Sequence, residues 1–265
     1  MIEFWREALI FLGGLWAGTI NTVVGSGTLV TFPILVALGT APVNAVVSNA
    51  MGLVAGGFSG AWGYRREAAS VKKTLLKLVP VSLVGGLIGS LLLLNLPESV
   101  FGIVAPVLLV CALVLVIFQP RLSKWAKTRQ AASGGTDPDD ADRAPIPLVL
   151  YILVFLIGVY GGYFTAAQGV LLMAVFGVFL HASLQQSNAI KVILSLIVNL
   201  VAAAMYLIIA PERIHWIIVL LIAVGSLIGG FIGAKIGRKL SPGWLRAVIV
   251  VLGLIALGNM LYKLV

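Results

Sequence analysis

The sequence predicts an all-α integral membrane protein made of two inverted structural repeats, each of about four helical segments, with a broken or re-entrant helix opening each repeat. Three observations carry this expectation. Of 265 residues, 60% are apolar and 10% charged, with a mean hydropathy of +1.11, whereas soluble domains carry about a quarter charged residues. The apolar residues come in continuous runs: Ala8 to Tyr64 and Ser99 to Phe118 hold no Asp, Glu, Lys or Arg. Lipid leaves only helices or closed barrels for the backbone, and continuous rather than alternating runs are helical. Finally, the halves repeat. Gly25-Ser26-Gly27 answers to Ala167-Gln168-Gly169, Ser48-Asn49-Ala50 to Ser187-Asn188-Ala189, and Gly85-Gly86-Leu87-Ile88-Gly89 to Gly229-Gly230-Phe231-Ile232-Gly233, at an offset of about 140 residues throughout.

The first segment is expected over 4–38, interrupted at Gly25-Ser26-Gly27, where glycine lets the backbone turn without side-chain collision. Spans follow at 42–63, 74–95 and 99–118, completing a first membrane repeat over 1–118. Residues 119–146 read as a solvated cytoplasmic linker, because Gly134-Gly135, Pro138 and Asp137, Asp139, Asp140 and Asp142 crowd into it. The second repeat, 147–265, opens with 147–180, interrupted near Ala167-Gln168-Gly169. It continues with 183–209, 214–236 and 243–262. Trp5, Trp62, Trp216 and Trp244 fall near span ends, as interfacial anchors do. The N-terminus does not read as a cleaved signal peptide, since its apolar stretch runs far past any cleavage point. Cys111 stands alone, so no intrachain disulfide forms.

Charge placement sets orientation. The formal net charge of +9 could point to nucleic acid, but the cations sit in short loops at span ends, as membrane orientation requires. Arg65, Arg66, Lys72, Lys73 and Lys77 follow the second segment of the first half, whereas the equivalent loop of the second half has only Arg213. The next connection, Asn95 to Ser99, has no cation, whereas its equivalent holds Lys235, Arg238, Lys239 and Arg246. Equivalent loops with opposite bias face opposite sides, which defines an inverted repeat. Arg121, Lys124, Lys127 and Arg129 put the central linker in the cytoplasm. An even number of crossings must then separate it from the 235–246 loop, so 147–180 crosses twice or turns back. It is too short for two full crossings, which need roughly 40 residues. The expected location is the plasma (inner) membrane, with both termini outside.

The candidate chemistry centres on Lys191, the one charge between Ile146 and Ala210. An ammonium at membrane depth is costly and marks a pathway or a binding site, unless it snorkels to an interface. No acidic residue lies in the apolar stretches, so its partner is backbone, water or a bound anion. Ser187, Lys191, Ser195 and Asn199 recur every four residues, with Asn188 beside them, as one polar stripe. Lys191 lies roughly 13 Å along its helix, near the middle of the hydrocarbon core. The matching stripe is Asn44, Ser48, Gly52, Gly56 and Gly60, with glycine where the lysine would be. The breaks offer half-helix N-termini at Thr28 and Val170, whose N–H groups point toward anions. Alternatively, the glycines only permit tight hairpins. Asn21, Thr22, Thr165 and Gln168 are polar residues beside the breaks. The glycine faces 52/56/60 and 225/229/233/237 read as helix packing. His181 and His215 have no partner at ligand spacing, so no metal is expected.

Gly25-Ser26-Gly27-Thr28-Leu29-Val30-Thr31-Phe32-Pro33, with Ala45 and Ser48-Asn49 in the next span, resembles the TauE/SafE sulfite exporter family, also called the sulfonate uptake permease family. The resemblance covers nearly the whole chain, including the duplication. The second half departs from it: Ala167-Gln168-Gly169 stands where members often have a glycine run, and no proline follows. The resemblance implies a multi-pass transporter of sulfur-containing anions such as sulfite and organosulfonates.

The resulting expectation is a secondary transporter of a small anion working by alternating access, with no cofactor, no nucleic-acid partner and no enzymatic activity. The lipid bilayer and the anion are its partners, and a homo-oligomer is compatible with the sequence. Lys191 supplies charge; Ser48, Asn49, Ser187, Asn188 and Asn199 supply hydrogen bonds; Gly25, Ser26, Gly27, Thr28, Gln168 and Gly169 bring backbone to the substrate; Asn21 and Thr165 lie close by. A passive anion channel is the alternative. An intramembrane hydrolase lacks a His or Asp at membrane depth, and a scaffold without transport leaves Lys191 unexplained. No ATP-hydrolysis motif is present.

Overall fold

The apolar runs do form helices. The computed structural model describes residues 2–132, 145–236 and 242–262, and these contain helices and no strand. In chain order they are α1 (Ile2–Val23), α2 (Thr28–Ala37), α3 (Pro42–Gly63), α4 (Arg65–Ser70), α5 (Lys72–Asn95), α6 (Glu98–Ala132), α7 (Leu148–Tyr163), α8 (Gln168–Phe179), α9 (Leu184–Ile209), α10 (Trp216–Ile236) and α11 (Pro242–Tyr262). Apolar stretches within α5, α6, α9 and α10 are long enough to cross a bilayer. Trp5, Trp62 and Trp216 are exposed near helix ends; the side chain of Trp244, and Gly237, lie outside what is described.

Two departures from expectation have local causes. Helix α6 does not stop at 118 but continues to Ala132. Leu, Lys, Ala, Arg and Gln dominate 121–132 and are strong helix formers, so polarity there ends the apolar face without ending the helix. The Asp137–Asp142 cluster lies outside the described residues. The short α4 replaces what reads as a plain loop; it carries cations on both sides.

Both long opening segments are broken into hairpins. Helices α7 and α8 have 16 and 12 residues, about 24 and 18 Å at 1.5 Å per residue, and neither reaches across a core of about 30 Å. Helix α2 has 10 residues. Contacts at the helix ends show that each hairpin returns to the rim it left. Arg6 and Glu7 on α1 line one cavity with His215, and Asn44, just past α2, donates from Nδ2 to His215 Nε2 at 3.3 Å. Ile146, just before α7, shares one apolar cluster with Leu180 and Ala182, just after α8, and with Val71. The first rim also carries the Arg213–Glu98 ion pair, 3.4 Å apart. The second carries the Gln186 Nε2 donation to Ser70 Oγ at 3.1 Å.

Packing between the halves is reciprocal. Helix α1 packs on α10 as α7 packs on α5; α3 packs on α10 as α9 packs on α5; and α2 meets α11 as α8 meets α6. Close approach in both α1–α10 and α5–α7 depends on small residues. A Cβ on Gly18 would stand 2.7 Å from the Cα of Ser226, and one on Gly85 would stand 3.0 Å from the Cα of Gly158. On the glycine faces a Cβ on Gly56 would stand 2.9 Å from Ser226 O and one on Gly229 2.0 Å from Leu15 O, so these faces pack as small residues at helix interfaces in lipid do.

Candidate functional site

The breaks follow from local backbone chemistry. Gly25 has φ +87 and ends α1 in the left-handed region, which costs glycine nothing. The second break is built without glycine in that region: Thr165 and Ala167 take φ 64 and φ 58. Helix α8 therefore starts at Gln168, two residues before the expected Val170, with the left-handed Ala167 as its N-cap. Hydrogen bonds hold this strained turn. Thr165 Oγ1 donates to Gly161 O at 2.9 Å, and Tyr160 Oη donates to Ala166 O at 2.5 Å. Ala167→Gly removes a left-handed penalty of about 1 kcal/mol, so this variant is expected to melt higher than the parent in detergent. An unchanged or lower melting temperature would show that the turn is not strained.

The two breaks touch. Gly169 N–H donates to Gly25 O at 2.9 Å, and a Cβ on Gly25 would stand 2.6 Å from the Cα of Gly169. That space excludes any side chain. Lys191 runs alongside, its Cδ 3.1 Å from the same Cβ position. The lysine is 1% exposed and does not snorkel. Its Nζ donates to Thr22 O and to Asn188 Oδ1, both at 3.1 Å. Thr22 is in the last turn of α1, where carbonyls lose their helical donors, so Lys191 caps that helix from α9. An ammonium has three N–H donors, and these two bonds leave one.

The other expected residues divide into two groups. Several are engaged in bracing. Asn49 Nδ2 donates to Thr28 Oγ1 at 3.1 Å, and Thr31 Oγ1 bonds Asn49 Oδ1, which ties α3 to α2. Ser48 Oγ accepts from His215 N at 3.1 Å at the start of α10. Asn21 packs its Cβ beside Gly27, 2.9 Å from where a Gly27 Cβ would stand. Ser187 is buried on α9. In the first-half stripe Gly52, the counterpart of Lys191, has Ile222 of α10 against it, 2.6 Å from a Cβ position. The counterpart position is thus filled by packing, and the charge is one-sided.

A smaller group is buried with unused hydrogen-bonding capacity. The Ser26 hydroxyl, both amide atoms of Gln168, and Asn199 Oδ1 have no partner among the described residues. Ser26 and Gln168 are 1% and 2% exposed, and each is the middle residue of its break. An unpaired buried polar group costs about 1–3 kcal/mol, more where no water reaches it. These two groups lie on touching breaks, with Lys191 running past Gly25, and the Gln168 amide packs against Gly161 of α7, its Oε1 2.5 Å from where a Gly161 Cβ would stand. Tyr163, the last residue of α7, adds a buried unpartnered hydroxyl. Sequence reasoning misses it because its ring, tilted against that of Phe101 with centroids 5.7 Å apart, reads as core. Among the described residues no His, Cys, Asp or Glu group could hold a metal.

The profile described as "Sulfite exporter TauE/SafE" matches residues 10–260. The chain belongs to the TauE/SafE sulfite exporter family. It is similar to the "Probable membrane transporter protein YfcA" of Escherichia coli K12, 24% identical over 96% of this chain and 89% of that protein. A "Probable membrane transporter protein" of Haemophilus influenzae is 23% identical over 96% and 94%, and "Probable membrane transporter protein ORF9" of a Sinorhizobium species is 22% identical over 96% and 91%. No solved structure matches. Family membership and the apolar helices identify a multi-pass membrane protein of the transporter class.

Proposed function

We propose that the chain is a secondary transporter of small anions, most of all sulfite, sulfonates or related sulfur-containing anions, working by alternating access around the two touching breaks. The observation that carries this reading is the pair of buried, unpartnered side chains, Ser26 and Gln168, beside the buried Lys191. Buried polar groups at membrane depth are expensive and mark substrate pathways. Discontinuous helices meeting near the midplane are how transporters present backbone and side-chain donors to anions. Flux of labelled sulfite into proteoliposomes tests the reading. Uptake is expected to saturate and to fall at least about tenfold in Gln168→Ala, as loss of a buried hydrogen bond implies. Linear, unsaturable flux would favour the passive channel instead.

The repeats, 1–118 and 147–265 about the linker 119–146, are inverted in this proposal. The reciprocal packing of the halves and the opposite loop charges support that arrangement. The rim holding Glu98 and Arg213 faces outside together with both termini, and the rim holding Ser70 and Gln186 faces the cytoplasm. In a Cys111-free background, Glu98→Cys is expected to react with an impermeant thiol reagent from outside and Glu67→Cys only after permeabilisation. Labelling of both from one side overturns the topology.

A further inference from the structure

We infer that the site selects a monoanion carrying its own hydrogen-bond donor and rejects dianions of the same size. The inference rests on the reading that the touching breaks hold the substrate.

Charge is the first argument. Across Ala8–Tyr64, Leu78–Pro97, Ser99–Pro120, Ile146–Ala210 and Ile214–Ala234 the sequence holds one Lys or Arg, Lys191, and no Asp or Glu. A monoanion beside the Lys191 ammonium leaves the buried site neutral. A dianion leaves an uncompensated negative charge at membrane depth, where burying an unpaired charge is costly. First-half Gly52, under Ile222, has no room for a second cation.

Hydrogen bonding is the second argument. On that reading the donors toward the anion are the third Lys191 N–H, beyond the two given to Thr22 O and Asn188 Oδ1, and the unpartnered Ser26 hydroxyl and Gln168 Nε2. One acceptor, Gln168 Oε1, is also buried and unpartnered. The result does not depend on which way the amide is turned, because both of its ends are free. A fully deprotonated oxyanion offers only acceptors, so Gln168 Oε1 would stay unpaired and face negative charge. An anion bearing an O–H or N–H satisfies it. Sites built to pair a substrate hydroxyl reject the analogue that lacks it, because the buried group is then left without a partner. The same chemistry covers an oxyanion holding one proton and a sulfonate with a hydroxyl or ammonium substituent. A protonated oxyanion would bring a proton across with it, which no carboxylate in these stretches could do in its place.

Three ligands of one skeleton separate the arguments: 2-hydroxyethanesulfonate (monoanion with a donor), ethanesulfonate (monoanion without one) and sulfoacetate (dianion without one). Their affinities are measured on the purified full-length protein in nanodiscs at neutral pH. The expected order is 2-hydroxyethanesulfonate over ethanesulfonate by about 10-fold, with sulfoacetate weakest. Gln168→Met is expected to erase the difference between the first two ligands while retaining the preference over the dianion. Equal affinity for the first two on the unmodified protein overturns the donor argument, and sulfoacetate binding as tightly as either overturns the charge argument. If none of the three binds, the anion site itself falls. If all three bind alike, that site stands and only its selectivity falls.

Discussion

Placing a methyl group on Gly25 is expected to abolish transport and to lower stability by about 3 kcal/mol. Two costs add. A side chain at φ +87 pays about 1–2 kcal/mol for the left-handed conformation. Its Cβ would also stand 2.6 Å from the Cα of Gly169, and moving packed backbone aside costs about 1–3 kcal/mol. Gly39 supplies the internal control. Its φ is +88, yet nothing lies within 4 Å of its Cβ position. Gly39→Ala therefore pays only the conformational cost, and its flux should persist. Gly169→Ala tests the contact from the other side: its Cβ would meet Gly25 O at 2.8 Å, without a positive φ. Gly27→Leu and Gly169→Leu are expected to lose transport even where protein still inserts. Thermal unfolding and proteoliposome flux on the same preparations decide the matter. If Gly25→Ala and Gly39→Ala lose equal stability and both transport, the breaks are hairpin turns and not the closed centre of a site.

The breaks are legible in the sequence because an apolar run too long for one crossing has to turn, and glycine marks where it can. Lys191 is legible because one charge in a long uncharged run stands out. What each residue touches is not legible. The capping acceptor of Lys191 is the backbone carbonyl of Thr22, and a carbonyl leaves no trace in residue identity. It is available only because α1 ends at Val23. Ser48 and Asn49 read as substrate ligands from their polarity, but polarity does not say which protein atoms they also bond. Here Asn49 holds α2 through Thr28 and Thr31, and Ser48 receives the His215 amide. The start of α8 differs by two residues from expectation because Ala167 occupies a backbone region that its side chain gives no reason to expect. The extent of α6 escapes for the opposite reason: the hydropathy signal stops at Phe118 while helix propensity continues. Ser26 and Gln168 emerge as the strongest candidates only once the structure shows which polar side chains lack partners.

Lys191→Met is expected to lower anion affinity by about 10- to 100-fold, as loss of a charged hydrogen bond worth roughly 1.5–3 kcal/mol implies. Methionine keeps much of the stem volume along Gly25 while removing the ammonium. Its effect on stability combines two opposing terms. Thr22 O and Asn188 Oδ1 lose their donor, at a cost of about 1–3 kcal/mol for an unsatisfied buried acceptor. Against this, a buried charge without a carboxylate partner is relieved, which is itself worth several kcal/mol. Folding is therefore expected to survive with little net change. Lys191→Arg keeps the charge but replaces a compact ammonium with a planar fork. Partial activity with altered ligand preference is the expected result, because the fork cannot keep the Thr22 and Asn188 contacts in the same geometry. The bracing role makes a different prediction. If Lys191 only caps α1, Met lowers the melting temperature and leaves anion affinity untouched. Asn188→Ala helps to separate the roles, since it removes one of the two anchors of Nζ and leaves the charge in place. A substrate-binding lysine should then lose affinity less than in Lys191→Met, whereas a purely structural one should show a stability loss alone. Affinity unchanged in Lys191→Met would remove the lysine from the site and leave the anion to the breaks.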